Sequence, residues 1–134
     1  PMKDLSDLES IVPDANKIRA FCRRIELDTI FAFAPSQGDW SNGIRCREFC
    51  PAIGSLESAA SGTTNRSVSC YLYQRGRLVA TNDGSVTLSI FQGVEIDRPS
   101  HITSVVSISA GDVSRVDIGG RATKVVNGTF LSPF

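Results

Sequence analysis

Charge of one sign is what this sequence lacks most plainly: 14 Lys and Arg are matched by 14 Asp and Glu, for a formal net charge of zero. With no long-range field, a basic nucleic-acid binder and a protein held on an anionic membrane surface are both excluded. Long apolar runs are missing too. Thr29 to Pro35 and Leu88 to Phe91 are the longest, far short of the roughly 20 residues of a membrane span. The start, Pro1-Met2-Lys3-Asp4-Leu5, has neither a basic stretch leading into an apolar one nor an Arg-rich transit pattern, so the cytoplasm is the expected location. A start at Pro1 leaves three origins open: a trimmed initiator Met, an extra Pro ahead of Met2, or a cut from something longer. Histidine is nearly absent, His101 being the only one. The C-x3-C of Cys46 and Cys50 puts two thiols on one face of a strand but is not a common zinc spacing. No metal is expected, and Cys22, Cys46, Cys50 and Cys70 read as reduced thiols packed in the interior.

What is present suffices for a core. At 134 residues, 41% hydrophobic and 21% charged, the chain fits one domain, residues 1–134, that buries roughly two thirds of its unfolded surface. Ser6 or Asp7 is placed to cap a short turn presenting Leu5, Leu8 and Ile11, and Pro13 ends it. Asp14 then opens a helix to Arg24, with Ile18, Phe21 and Cys22 at helical spacing. Asp28 to Ala34 reads as a covered strand, and Ile44 to Phe49 as a strand with Ile44, Cys46 and Glu48 on one side and Arg45, Arg47 and Phe49 on the other. A small-residue loop from Ala52 to Thr63 leads into a helix over about Thr64 to Arg75, apolar nearly all round and so expected at the centre. Strands are expected over Leu78–Thr81 and Ser85–Phe91 around Asn82-Asp83-Gly84, over 102–109 and 113–118 around Ala110-Gly111-Asp112, over 122–126, and over 129–131. Antiparallel strands around one apolar helix make an α+β domain.

The chemistry concentrates where the loop meets that helix. Gly62 allows close backbone approach, and the free amides of Thr63, Thr64 and Asn65 at a helix start carry partial positive charge. A carboxylate or phosphate finds a seat there without Lys or Arg. The plainer alternative is that Ser61 or Thr63 simply caps the helix.

Several segments, in order and spacing, resemble the carboxyl-terminal half of the phenazine-biosynthesis PhzF-like family: Arg47-Glu48-Phe49-Cys50-Pro51, Glu57-Ser58-Ala59-Ala60-Ser61-Gly62-Thr63, Tyr71-Leu72 with Arg75-Gly76, Gln92-Gly93, Arg98-Pro99-Ser100, and Arg115 to Ala122. The resemblance covers nearly the whole chain. It implies a diaminopimelate-epimerase-like domain, a curled, mostly antiparallel, barrel-like sheet wrapped around one central helix, with the active site in a cleft shared with a second such domain. Where the family shows Glu-Asp-Pro-Ala-Thr-Gly-Ser-Ala, this chain has Glu57 to Thr64. Glu57, Ala60 and Gly62 match, while the family's Asp falls on Ser58, which cannot carry a proton-transferring carboxylate. The family's principal acid/base Glu lies in the amino-terminal half and has no counterpart here.

The resemblance thus implies a cofactor-independent proton shift on a small carboxylate-bearing metabolite. Glu57, Ser58 and Ser61 stand at the catalytic positions, and Gly62, Thr63, Thr64, Arg47, Gln92 and Gly93 at the substrate-binding ones. Glu57 is a proton carrier if burial raises its pKa, whereas Arg47 either orients a carboxylate or braces the loop. Trp40 stacks on a ligand or anchors its own loop, and His101 has no assignable role. The companion half would be a separate chain or a second copy, since a lone domain exposes an apolar cleft face. The alternative is a non-catalytic anion-binding or structural domain of the same fold.

Overall fold

The computed structural model describes residues 1–129 and 131. Two helices open the chain. Helix α1, Leu5–Glu9, is capped by Asp4, whose carboxylate accepts from the Asp7 amide at 2.9 Å. The cap thus lies ahead of Ser6 and Asp7, because Asp4 already holds the extended conformation a cap requires. Helix α2, Ala15–Arg24, is capped by Asp14, which accepts from the amides of Asn16 and Lys17. No helix is long and apolar enough to cross a membrane among the described residues.

The strands are β1 (Ile30–Pro35), β2 (Ile44–Phe49), β3 (Glu57–Ser58), β4 (Ser85–Gln92), β5 (Ser100–Ser109) and β6 (Asp112–Gly120), in the order β1-β2-β4-β5-β6 with β3 beside β2. All neighbours are antiparallel except β2 and β4. Parallel neighbours need a long crossover, and here it contains helix α3, Gly62–Gln74. β1 and β6 are the two ends of the ladder, so the sheet is open. The barrel-like closure expected from the resemblance is therefore corrected: the fold is α+β with an open six-stranded sheet.

An open sheet covers only one side of a helix. α3 buries the stripe Asn65, Val68, Ser69 and Leu72 against Ile44, Leu88, Ile90 and Val106, the spacing of one helical face, and leaves Tyr71 37% exposed. Three expected strands change. Over 78–81 the Asn82-Asp83-Gly84 turn forms, but β4 is already flanked by β2 and β5, and the segment makes a turn bond from the Thr81 amide to the Ser85 carbonyl, 2.7 Å, instead of a ladder. Residues 122–126 follow the last rung of the edge strand β6 and form no strand, with Val125 and Val126 exposed. Of 129–131, Thr129 and Leu131 carry no strand and Phe130 lies outside the described residues. The hairpin between β5 and β6 forms as read, with Ala110 and Gly111 both at positive φ, as a two-residue hairpin loop demands.

The face of β2 away from α3 carries ion pairs, of which the most deeply buried joins Arg47 to Glu57 and others join Arg45 to Glu95 and to Glu9. Arg47 meets Glu57 through two hydrogen bonds, 3.0 and 2.8 Å, and donates to the carbonyls of Leu8 and Ile11 as well, which ties α1 to the sheet. The Glu57 hydrogen bonds, opposed by burial, push Arg47 above its ordinary range. Beyond β4, Gly93 adopts φ +78, and a Cβ there would stand 2.4 Å from the Arg98 carbonyl oxygen and 2.8 Å from that of Ala59. The turn after β4 thereby presses on the segment that feeds α3.

Glu57→Gln leaves the Arg47 charge buried without its carboxylate and is expected to cost roughly 3–5 kcal/mol in urea unfolding, most of it recovered by combining Arg47→Met with Glu57→Leu. A loss under about 1 kcal/mol would class the pair with solvent-exposed bridges and contradict the assignment. Gly93→Ala is expected to cost at least about 2 kcal/mol. Gly62→Ala, where nothing lies within 4 Å, should leave the melting temperature nearly unchanged, and equal melting temperatures for the two variants would refute the close-approach argument.

Candidate active site

Helix α3 begins two residues earlier than its sequence pattern suggests, with Ser61 extended as the cap and its Oγ accepting from the Thr64 amide at 3.4 Å. This moves the donors: Thr64 is taken, Asn65 is the first amide placed to close onto a helix carbonyl, and the amides of Gly62 and Thr63 remain outward at exposed residues. The dipole of a 13-residue helix backs them.

Beneath this turn runs a buried polar chain. Asn65 and Gln92 are both fully buried. The Asn65 amide group donates to the Ser61 carbonyl at 2.6 Å and to Gln92 Oε1 at 2.7 Å, and Gln92 in turn donates to the Ser58 carbonyl at 2.9 Å. The Cys46 thiol lies 3.6 Å from both Asn65 Oδ1 and the Phe91 carbonyl. Burial, then the charge of Glu48, push that thiol upward, so it stays protonated as a weak donor. Segment 58–61 is thus fixed from below at both ends.

Ser58, Ser61, Gly62, Thr63 and Thr64 come together at this entrance. Ser58 Oγ donates to the Ala60 carbonyl at 3.0 Å, while Thr64 Oγ1 is buried without a partner. Thr64 also lines a mostly apolar groove of about 320 Å³ with Phe31, Phe33, Val68 and Tyr71. The other sequence-selected residues stand apart. The pleat turns Glu57 and Arg47 to the opposite face of β2 and β3, where each is committed to the other. Neither is placed to carry a proton or orient a carboxylate at α3, and Arg47 braces the loop. Gln92 and Gly93 are buried and act on the loop from beneath instead of facing a ligand. Trp40 packs edge-on against Phe33, and His101 stacks on Phe91 and meets Ser89 Oγ at 2.8 Å.

Two side chains of the site, those of Asn65 and Glu48, carry no role in the sequence reading, which used Asn65 only for its backbone amide. Asn65 carries the polar chain, and Glu48 lies opposite Ser58 in the β2–β3 register, on the α3 side, with 4% exposure. The signal for Glu48 is in the alternation: it occupies an inward position after Ile44 and Cys46, where a carboxylate does not belong in a core. Larger hollows, about 540 Å³ beside Tyr73 and Gly111 and about 650 Å³ beside Asp39 and Arg77, lie away from these residues. Among the described residues, no three His, Cys, Asp or Glu are gathered to hold a metal.

The sequence model of a family described as phenazine biosynthesis-like protein, PhzC-PhzF, matches residues 1–128. An uncharacterized isomerase of Deinococcus radiodurans is 29% identical over 122 residues, 91% of this chain and 38% of that protein. The trans-2,3-dihydro-3-hydroxyanthranilate isomerase of Pseudomonas chlororaphis is 27% identical over 130 residues, 97% of this chain and 42% of that protein. The crystal structure of a Bacillus anthracis phenazine biosynthesis protein of the PhzF family superposes with a TM-score of 0.70 at 22% identity, covering 90% of this chain and 40% of that one. The chain spans about two fifths of the length of these relatives. The chain belongs to the phenazine biosynthesis-like PhzC-PhzF family.

Proposed function

We propose that the chain is the carboxyl-terminal half of an isomerase that shifts a proton on a small carboxylate-bearing metabolite, in a cleft completed by an amino-terminal companion or by a second copy. The observation that carries this reading is the pair of outward amides at Gly62 and Thr63, fixed from below and beside an apolar groove. The substrate carboxylate rests on these amides and on the Thr64 hydroxyl, with Ser58 and Ser61 as polar neighbours. Its carbon skeleton lies along Phe31, Val68 and Tyr71. A proton shift leaves oxidation state unchanged, so side-chain acids and bases suffice and no cofactor is called for. The relatives named for trans-2,3-dihydro-3-hydroxyanthranilate suggest a ring carboxylate of that class. Ser58, uncharged near neutral pH, favours a second reading in which the anion seat is kept and the chemistry lost.

Titration with anthranilate, followed by amide NMR, is expected to move Gly62 and Thr63 before any other residue. Gly62→Pro removes one donor at the first helical position, where Pro is tolerated after the extended Ser61, and should weaken binding about tenfold. Unmoved amides would refute the anion seat. With the unmatched part of the Pseudomonas chlororaphis isomerase supplied as companion, deuterium from solvent should enter trans-2,3-dihydro-3-hydroxyanthranilate. Binding without exchange would favour the second reading.

A further inference from the structure

Ser58 leaves the α3 side of β3 without an ionisable group, yet the neighbouring strand restores one. In the antiparallel register of β2 and β3, Glu48 stands directly opposite Ser58, so the two side chains share a face with Cβ atoms about 5 Å apart. On the other side of β2, Glu48 is opposite Phe31, one wall of the apolar groove. Two residues back on the same face, Cys46 reaches Asn65 in the first turn of α3. This row places Glu48 at the head of α3, between the groove and segment 58–61.

Its state is unusual. Glu48 is 4% exposed, and among the described residues its carboxylate has neither a hydrogen bond nor a salt bridge. Its oxygens are nonetheless absent from the sealed, partnerless side-chain atoms, so the carboxylate keeps some contact with solvent. The nearby buried Arg47 offers no compensation, being turned to the other face and held by Glu57. An almost buried, unpartnered carboxylate costs stability and demands an explanation. A structural role supplies none, because it braces nothing. The same site holds a second unpartnered polar atom, Thr64 Oγ1.

We infer that Glu48 is the proton-carrying carboxylate that this half contributes, taking over across the strand pair the task that Ser58 cannot perform. The inference rests on the isomerase reading above. With the substrate carboxylate on the Gly62 and Thr63 amides, a Glu48 oxygen takes a proton from a ring or chain carbon. The C–H bond breaks, an O–H bond forms on Glu48, and the C–H electron pair enters the adjacent unsaturation, which shifts by one position. An acid of the companion half protonates the far carbon. Glu48 then loses its proton to water and the companion's acid regains one, so atoms and charge balance without an oxidant or reductant.

The test combines carboxyl ¹³C NMR of the Glu-labelled chain with isotope exchange. Adding anthranilate, which has no transferable carbon-bound proton, is expected to move the Gly62 and Thr63 amides and the Glu48 carboxyl resonance. That resonance is identified by its loss in Glu48→Gln, and Glu57 stays still as an internal control. Amides that move while Glu48 does not would overturn this inference alone, and neither moving would overturn the anion seat with it. In the assembled pair, Glu48→Gln should bind anthranilate within about twofold of the parent, yet lower deuterium incorporation by about 10²–10⁴-fold. Exchange within about threefold of the parent would refute the role of Glu48 and leave the isomerase reading standing. A parent pair that does not exchange would refute both. Should Glu48→Gln not fold, the carboxyl resonance of the parent chain, assigned through Glu48→Asp, decides the question alone.

Discussion

Two carboxamides, Asn65 and Gln92, meet inside the molecule at 2.7 Å, and the course of the backbone from Ser58 into α3 depends on that bond. Gln92 belongs to β4 and also grips the Ser58 carbonyl; Asn65 belongs to α3 and also grips that of Ser61. Backbone that would otherwise be a free loop of small residues is thereby referred to the sheet at one end and to the helix at the other. In a dry interior such bonds are strong when complete and costly when broken. The outward amides of Gly62 and Thr63 inherit their direction from this chain.

The period-two alternation of β2 and β3 then sorts the ionisable side chains. Odd positions 45, 47 and 49 of β2, with Glu57 of β3, face α1 and carry the Arg47–Glu57 pair that clamps the amino-terminal helix to the sheet. Even positions 44, 46 and 48, with Ser58, face α3 and its entrance. A bound structural carboxylate and a free one thus lie within two adjacent strands, one on each face, without competing for the same cation.

Much of this was legible in the sequence, and the failures share a cause. The Asp14 cap, the alternation of 44–49 and the Ala110-Gly111 hairpin are local signals, and the structure bears each of them out, whereas the small-residue loop expected from Ala52 to Thr63 folds in part as β3 and gives its last two residues to α3. Closure of the sheet, strand formation by 78–81 and by 122–126, and the all-round burial of α3 depend on which ladder edges find partners, and an open sheet leaves those segments without one. Glu57 attracted a catalytic reading because its neighbours match a family motif. Its partner Arg47, ten residues earlier and one strand away, decides otherwise. Glu48 was visible as an inward carboxylate, but only the β2–β3 register shows that it faces Ser58.

A crystal structure of the chain soaked with anthranilate shows directly whether the α3 entrance seats a carboxylate. The ligand carboxylate is expected within hydrogen-bond distance of the Gly62 and Thr63 amides, with its ring along Phe31 and Tyr71 and its edge towards Glu48. A ligand carboxylate seated on Arg77 in the larger hollow, with the α3 entrance empty, would contradict this seating.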